Sequence, residues 1–336
     1  MIRLKVILFL LGGFICFIPI KRMPLAALVG GSNLSYHLFS QPQKTSYSEE
    51  NGGYRDIVSY EDQYLAVGTN GRIDYIKKSG EIISIVSPLN IDLNSVIYEN
   101  KTVIAVGNNG TILVSSDGQT FSKIETGTEK NINSITSLNG IFIAAADKGT
   151  ILISMNGNIW SSIHLPLKGD IVSISANISL CYCVTDKSEI IKSSDGISWD
   201  VFNYNEQYAG FNEPCSFKDV LLTGNRIAII GQHEGRSPVA LFSSLGNVWT
   251  ERSLNYTDDY GRIQMATNLP NDICYDIIGD QFFIACENGE ILMLPSCTKC
   301  NKSFTATKKD LRGIKCTENS LIIVGDDYYV NSISLR

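Results

Sequence analysis

Few residues of this chain have the types and spacing that chemistry requires. The three histidines, His37, His164 and His233, stand far apart, and no cysteine or carboxylate spacing joins them into a metal site. A Ser-His-Asp hydrolase needs a Gly-X-Ser-X-Gly elbow, and the chain has none. The reading therefore names no metal, no cofactor and no catalytic residue, and it leans away from an enzyme. Cysteine is the remaining reactive type, with nine residues of which eight lie beyond Cys16. An even set in an exported chain favours disulfides.

Any site must be positioned by a repeat. The run from Val103 to Phe121 reads as two strands joined by a tight Asn-Asn-Gly turn, then a Ser-Asp-Gly turn leading into an aromatic. It returns from Phe142 to Trp160 and from Cys181 to Trp199, in steps of 39 residues. A period near 40 residues with four strand-like pieces per unit predicts a β-propeller. Six blades are expected at about 54–90, 91–129, 130–168, 169–206, 212–256 and 272–308, and a last one runs from Leu311 to Arg336. That last unit has three strands, and the Ser35–Ser40 segment before blade 1 is expected to supply the fourth and close the ring. The fold class is thus all-β, a seven-bladed β-propeller with an N-terminal strand closing the last blade. Six blades is the alternative if blade 5 is an insertion. Trp160, Trp199 and Trp249, with Phe121 and Phe304, recur at one repeat position, which packing between blades demands and a single active site does not.

Ser115-Ser-Asp-Gly-Gln-Thr-Phe121, Ser193-Ser-Asp-Gly-Ile-Ser-Trp199 and Ser154-Met-Asn-Gly-Asn-Ile-Trp160 look like Asp-box (BNR-type) repeats. Over residues 54–336 the chain resembles exported sialidase-like propellers and seven-bladed propellers related to the photosystem II assembly and stability factor. The resemblance implies a structural turn for Asp117 and Asp195. Their carboxylates are expected to accept backbone N–H groups of their own turn, with Ser115 and Ser193 bonding alongside. The sialidase branch implies converging arginines, a tyrosine nucleophile and an acid. Here the arginines are scattered, and the Arg-Ile-Pro signature is absent, with Arg236-Ser-Pro238 the nearest match. The other branch implies an assembly role beside a membrane complex.

The repeat register exposes a ring of polar positions. Just inside each innermost strand the chain reads Arg55, Asn94, Asn133, Val172, Lys218, Tyr275 and Arg312; the next position reads Asp56, Ser95, Ser134, Ser173, Asp219, Asp276 and Gly313. One arc of the channel mouth is therefore expected to carry Arg55, Lys218, Arg312 and three aspartates, either as a self-neutralising ring or as a binding surface. Blade 5 is flanked by the longest connections and has an enlarged inner turn at 232–238. Tyr208, His233, Arg236, Tyr260 and Arg262 in these loops have the composition of a recognition surface on one face. Cys215 with Cys274, and Cys286 with Cys316, are the expected bridges between adjacent blades. A local Cys297–Cys300 bond is expected in blade 6, and Cys181 and Cys183 read as small core residues.

Arg3 and Lys5 precede an apolar run from Val6 to Ile20, so residues 1–30 read as a cleaved signal peptide or an uncleaved N-terminal anchor, and 31–336 as a single propeller domain. A formal charge of −6 argues against a nucleic-acid partner. The expected function is a non-enzymatic binding or assembly scaffold outside the cytoplasm, secreted, periplasmic or lumenal, holding a protein or glycan partner. Membrane association would run through residues 6–20. The alternative is a sialidase-like carbohydrate-active enzyme or lectin.

Overall fold

A computed structural model describes residues 52–207, 214–235, 237–244, 246–258, 260–295 and 301–335. In it the short apolar runs pair into seven antiparallel sheets. Six have four strands in chain order, and the seventh has three among the described residues. The innermost strands are Tyr54–Tyr60, Leu93–Glu99, Ile132–Leu138, Ile171–Ala176, Cys215–Thr223, Pro270–Asp276 and Leu311–Cys316. Each lies against the next, and Leu311–Cys316 against Tyr54–Tyr60 completes the circle. The protein is a seven-bladed propeller. Blade 5 is a complete blade, with Arg226–His233, Pro238–Ser243 and Thr250–Ser253 outside its inner strand, so the six-blade alternative falls.

The ring is held by apolar contacts between blades. The second strand of each blade is an unbroken apolar run because both of its faces are covered. In Gln63–Gly68, Leu65 and Val67 pack towards blade 2, while Tyr64 and Ala66 pack towards blade 7. Seven separate hydrophobic clusters result, one at each blade–blade interface. The recurring aromatics belong to these clusters. Trp160 packs on Ile104 and Ile112 of blade 2, and Trp249 packs with Tyr182 and Val184 of blade 4.

The tight turns need a special backbone. Asn109 and Gly110 both have left-handed φ, 54° and 64°, as a type I′ hairpin requires. A Cβ on Gly110 would meet the Thr128 carbonyl oxygen at 1.8 Å. Ser188 takes the same conformation at φ 61° and turns its hydroxyl to the Cys215 carbonyl.

The cysteines pair differently from the expectation. Cys274 and Cys316 form the one disulfide among the described residues, joining blades 6 and 7. Cys215 cannot reach Cys274 because its side chain packs into the blade 4–blade 5 cluster, whereas Cys274 faces blade 7. Cys286 likewise faces blade 5, away from Cys316. Cys181 and Cys183 are free and buried in one cluster, on the shared face that their alternation implied. Cys297, Cys300, the segment 35–40 expected to close the ring and residues 6–20 lie outside the described residues. No helix among the described residues is long and apolar enough to cross a membrane.

Candidate functional site

Every innermost strand carries a β-bulge near its start, a device that re-aims side chains. The bulged residues are Arg55, Asn94, Asn133, Val172, Lys218, Asn271 and Arg312. Those after them, Asp56, Ser95, Ser134, Ser173, Asp219, Asp272 and Gly313, line a central channel of about 450 Å³ with the exception of Gly313. The expected ring is present, with one correction. At the bulge blade 6 contributes Asn271 and Asp272, while Tyr275 lines the channel from elsewhere on the strand and Asp276 does not line it. Its first hairpin pairs Asp276 with Gln281 across four residues, where blade 1 pairs Tyr60 with Gln63 across two, which breaks the spacing to the downstream glycine kept by other blades. Pro270-Asn-Asp-Ile273 held the signal, because it repeats the pattern of Leu93-Asn-Ser-Val96 and Tyr54-Arg-Asp-Ile57.

The three channel aspartates latch neighbouring blades. Asp56 Oδ2 accepts from the Ser95 hydroxyl and the Val96 N–H, both at 2.8 Å. Asp219 accepts from the Ser173 hydroxyl on one side and from the Ile273 N–H at 3.1 Å on the other. Asp272 accepts from the Ile314 N–H at 2.6 Å. Ser134 makes the same link with the Ile174 N–H at 3.3 Å. Burial pushes the carboxyls of Asp56 and Asp219 up, against the pull of these bonds. Asp272 is driven well above the usual carboxylate range, first by burial and then by the neighbouring Asp219 and Asp56 carboxylates. Asp219 and Asp272 are bonded to one another and favour sharing a proton.

The mouth cations do not neutralise these aspartates. Arg55 pairs with Asp92 at 3.1 Å, and Arg312 with Asp310 at 3.0 Å and Asp326 at 3.1 Å. Lys218 is exposed and has no ion-pair partner among the described residues. Arg55 and Arg312 also border a second, polar pocket of about 570 Å³ between blades 7 and 1, with Lys308, Lys309, Asp310, Asp326 and Asp327 around it. Lys309 pairs with Asp327 at 3.3 Å, while Lys308 is exposed. Cations exceed carboxylates four to three around this pocket.

Of the blade 5 loop residues, His233, Tyr260 and Arg262 are among the described residues. Tyr208 and Arg236 lie outside the described residues. His233 is turned inward, with Nδ1 3.4 Å from Cys215 Sγ and Nε2 3.1 Å from Glu251. The connection after blade 5 folds into a hairpin, Tyr256–Thr257 with Ile263–Gln264. Asp258 caps its tip, bonding the Arg262 side chain at 2.8 Å, and Arg262 lies over the exposed Tyr260 ring at 5.1 Å. The hairpin docks on Asn301, whose carbonyl accepts the Thr257 N–H at 3.0 Å. Asn301 precedes the outer strand of blade 6, at the level of Leu294 and Phe282 and hence at the end opposite Asp272. Tyr260 and Arg262 are thus separated from Arg55, Lys218 and Arg312.

The Ser-Asp-Gly turns are built as their residues imply. Asp117 Oδ1 accepts from the Gln119 N–H at 2.8 Å, the Thr120 N–H at 2.7 Å and the Ser115 hydroxyl at 2.9 Å. Asp195 does the same with Ile197, Ser198 and Ser193, and Asn156 with Asn158 and Ile159. Backbone N–H bonds first of all pull the carboxyl of Asp195 down to about 2, and that of Asp117 lower still.

Fold and channel together define the class, a seven-bladed β-propeller with a polar, latched channel. No protein-family model and no curated protein sequence matches the chain. Solved structures do match it. One described as YCF48 bound to D1 peptide aligns with a TM-score of 0.64 at 15% identity, covering 84% of this chain and 92% of that one. YCF48 from Cyanidioschyzon merolae aligns with a TM-score of 0.64 at 16% identity, covering 84% and 96%. The WD40 β-propeller domain of Doa1 aligns equally well, at 0.64 and 12% identity over 86% and 95%. At these identities the likeness is one of fold.

Proposed function

We propose that this chain is a non-enzymatic scaffold that holds an extended segment of a partner protein across the channel mouth and the pocket between blades 7 and 1. The observation that carries this reading is the sharing of Arg55 and Arg312 between channel and pocket, which makes one continuous polar concavity. Lys218 and Lys308 stand exposed there with no ion-pair partner among the described residues, so they are available to an acidic or carbonyl-rich segment. Among similar folds, the structure described as bound to D1 peptide lends support to a peptide partner. The reading places the scaffold outside the cytoplasm, on the strength of the apolar run from Val6 to Ile20 after Arg3 and Lys5. It also treats the Ser-Asp-Gly turns as Asp-box repeats, supported by the bonds to Asp117 and Asp195.

The test is crosslinking from the native extracytoplasmic fraction, with a photoreactive residue at position 308 or, as control, at exposed Ile197 on a Ser-Asp-Gly turn. A partner crosslinked from 308 and not from 197, and lost in a folded Lys218→Glu/Lys308→Glu variant, is the expected result. Equal capture by wild type and charge-reversed variant would remove the mouth from consideration.

A further inference from the structure

Cys215, His233 and Glu251 form a chain of reactive side chains that the scaffold reading does not use. All three point from blade 5 towards blade 4. Cys215 opens the innermost strand and sits directly opposite His233, the last residue of the second strand. Glu251 lies on the outermost strand, Thr250–Ser253, and reaches across to His233. The Cys215 Sγ lies 3.4 Å from His233 Nδ1, and His233 Nε2 lies 3.1 Å from Glu251 Oε1. With Nε2–H donating to the carboxylate, Nδ1 faces the thiol as an acceptor. A nucleophile beside a base, with the base oriented by a third group, is the arrangement that activates a side chain.

The other cysteines outside the disulfide, among the described residues, are differently placed. Cys181, Cys183 and Cys286 are wholly buried in apolar clusters, and burial pushes the thiols of Cys183 and Cys286 up. Such cysteines are inert packing residues. Cys215 is also largely covered, at 5% exposure, but its partners lead outward: the His233 side chain is 12% exposed and that of Glu251 29%. Its backbone is fixed, since Asn205 accepts the Cys215 N–H at 2.9 Å and donates to its carbonyl at 3.1 Å.

We propose that Cys215 is a base-activated thiol and a site of reversible oxidation by hydrogen peroxide. The Cys215 proton passes to His233 Nδ1, and the thiolate sulfur attacks one peroxide oxygen. The S–O bond forms as the O–O bond breaks, oxidising the sulfur by two electrons and reducing the peroxide. The departing hydroxide takes the proton back from the imidazolium and leaves as water, so thiol and peroxide give sulfenic acid and water. Glu251 holds the imidazole in place.

The experiment treats the purified full chain with hydrogen peroxide, traps sulfenic acid with dimedone, and maps the label by peptide mass spectrometry. Labelling of Cys215 ahead of Cys181, Cys183 and Cys286 is expected. His233→Asn should slow Cys215 labelling about 100-fold, the scale of a lost general base. Glu251→Gln, on a partly exposed position of the outer strand, should slow it about 10-fold while leaving the circular dichroism spectrum unchanged, the scale of a lost partner that orients an imidazole. Cys215 left unlabelled in the wild type would overturn the proposal. So would Glu251→Gln, or a folded His233→Asn, reacting at the wild-type rate.

Discussion

At the scale of single residues, buried charge holds the joints within and between blades. Asp74 is the case within a blade. It is fully buried, accepts the Tyr54 hydroxyl and receives the Arg72 Nε–H at 2.6 Å, beside the junction where blade 1 meets blade 7. Arg72 in turn lies over the Tyr328 ring of blade 7 at 5.3 Å. Removing one partner of a buried pair leaves the other desolvated, so Asp74→Ala should cost about 3 kcal/mol or more in urea unfolding. A loss below about 1 kcal/mol would mean that the pair is no stronger than an exposed one. The channel aspartates behave differently. A carboxyl raised in the folded state contributes stability that is present at low pH and is lost as pH rises through its folded value. Asp272, pushed up by burial and by Asp219, should therefore make the wild type lose stability as pH rises above the usual carboxylate range. Asp272→Asn removes the titration, and its stability should be flatter over that rise and equal to or above wild type at the upper end. Asp117 and Asp195, pulled down by N–H bonds, act in the opposite sense and lower down. Their contribution disappears as pH falls below about 4, so the two effects separate in one pH series. Parallel pH profiles for wild type and Asp272→Asn would show that Asp272 does not carry the raised proton affinity.

At the scale of the blade, most of the design was legible and the exceptions have physical causes. The repeat from Val103 to Phe121 encodes an apolar strand, a left-handed turn, a second strand and a capped turn, all local choices that agree with the final geometry. Trp160, Trp199 and Trp249 were readable as packing residues because recurrence points to a shared environment. Asp272 was missed because the first hairpin of blade 6 is longer than that of blade 1, so the innermost strand does not keep the spacing from the downstream glycine seen in the regular blades. The disulfide partner was missed because sequence position does not say which side of a strand faces which neighbour: Cys274 and Cys316 share the blade 6–blade 7 cluster, while Cys215 belongs to the blade 4–blade 5 cluster. The inward turn of His233 brings it to Cys215 and Glu251, each 18 residues away in the chain and in no sequence motif with it. The disulfide also gives a test of the blade interface. It closes a separation of 42 residues, and the chain-entropy relation puts its contribution near 4 kcal/mol. Cys316→Ala should thus lower thermal stability substantially in non-reducing buffer and make it insensitive to reductant. If wild type and variant melt together without reductant, the Cys274–Cys316 bond is absent from the folded protein.

At the scale of the whole ring, stability depends on closure. Seven hydrophobic clusters join seven blades in a circle, and the cluster of Tyr54, Ile57 and Ala66 with Ile322, Val324 and Val330 is the one that seals it. The chain entering blade 1 is already held there. Gly53 bridges to Asp326, the Gly52 carbonyl accepts the Asp327 N–H at 2.7 Å, and the Tyr54 ring meets Tyr328 edge-on at 5.3 Å. The outer strand of blade 7, Tyr329–Ser334, pairs with Ser320–Gly325 on one side, and its other side has no strand among the described residues. A long unpaired edge invites pairing with another chain, and a closed ring removes it. Ser35–Ser40 has the composition of the fourth strands, and residues 41–53 that follow it give a link of 13 residues to Tyr54. That length falls between the 5 residues 306–310 and the 16 residues 254–269 that join outer to inner strands elsewhere in the ring. A chain beginning at residue 41 should therefore differ sharply from one beginning at residue 34. Amide exchange across Tyr329–Ser334 should accelerate by orders of magnitude, because a strand that loses one of its two neighbours exposes half of its backbone groups. The shorter chain should also self-associate with rising concentration in sedimentation, and the longer one should remain monomeric. Equal protection of Tyr329–Ser334 in both chains would show that blade 7 is sealed without Ser35–Ser40, and that ring closure rests on the Gly53–Asp326 contact, the blade 7–blade 1 cluster and the Cys274–Cys316 disulfide.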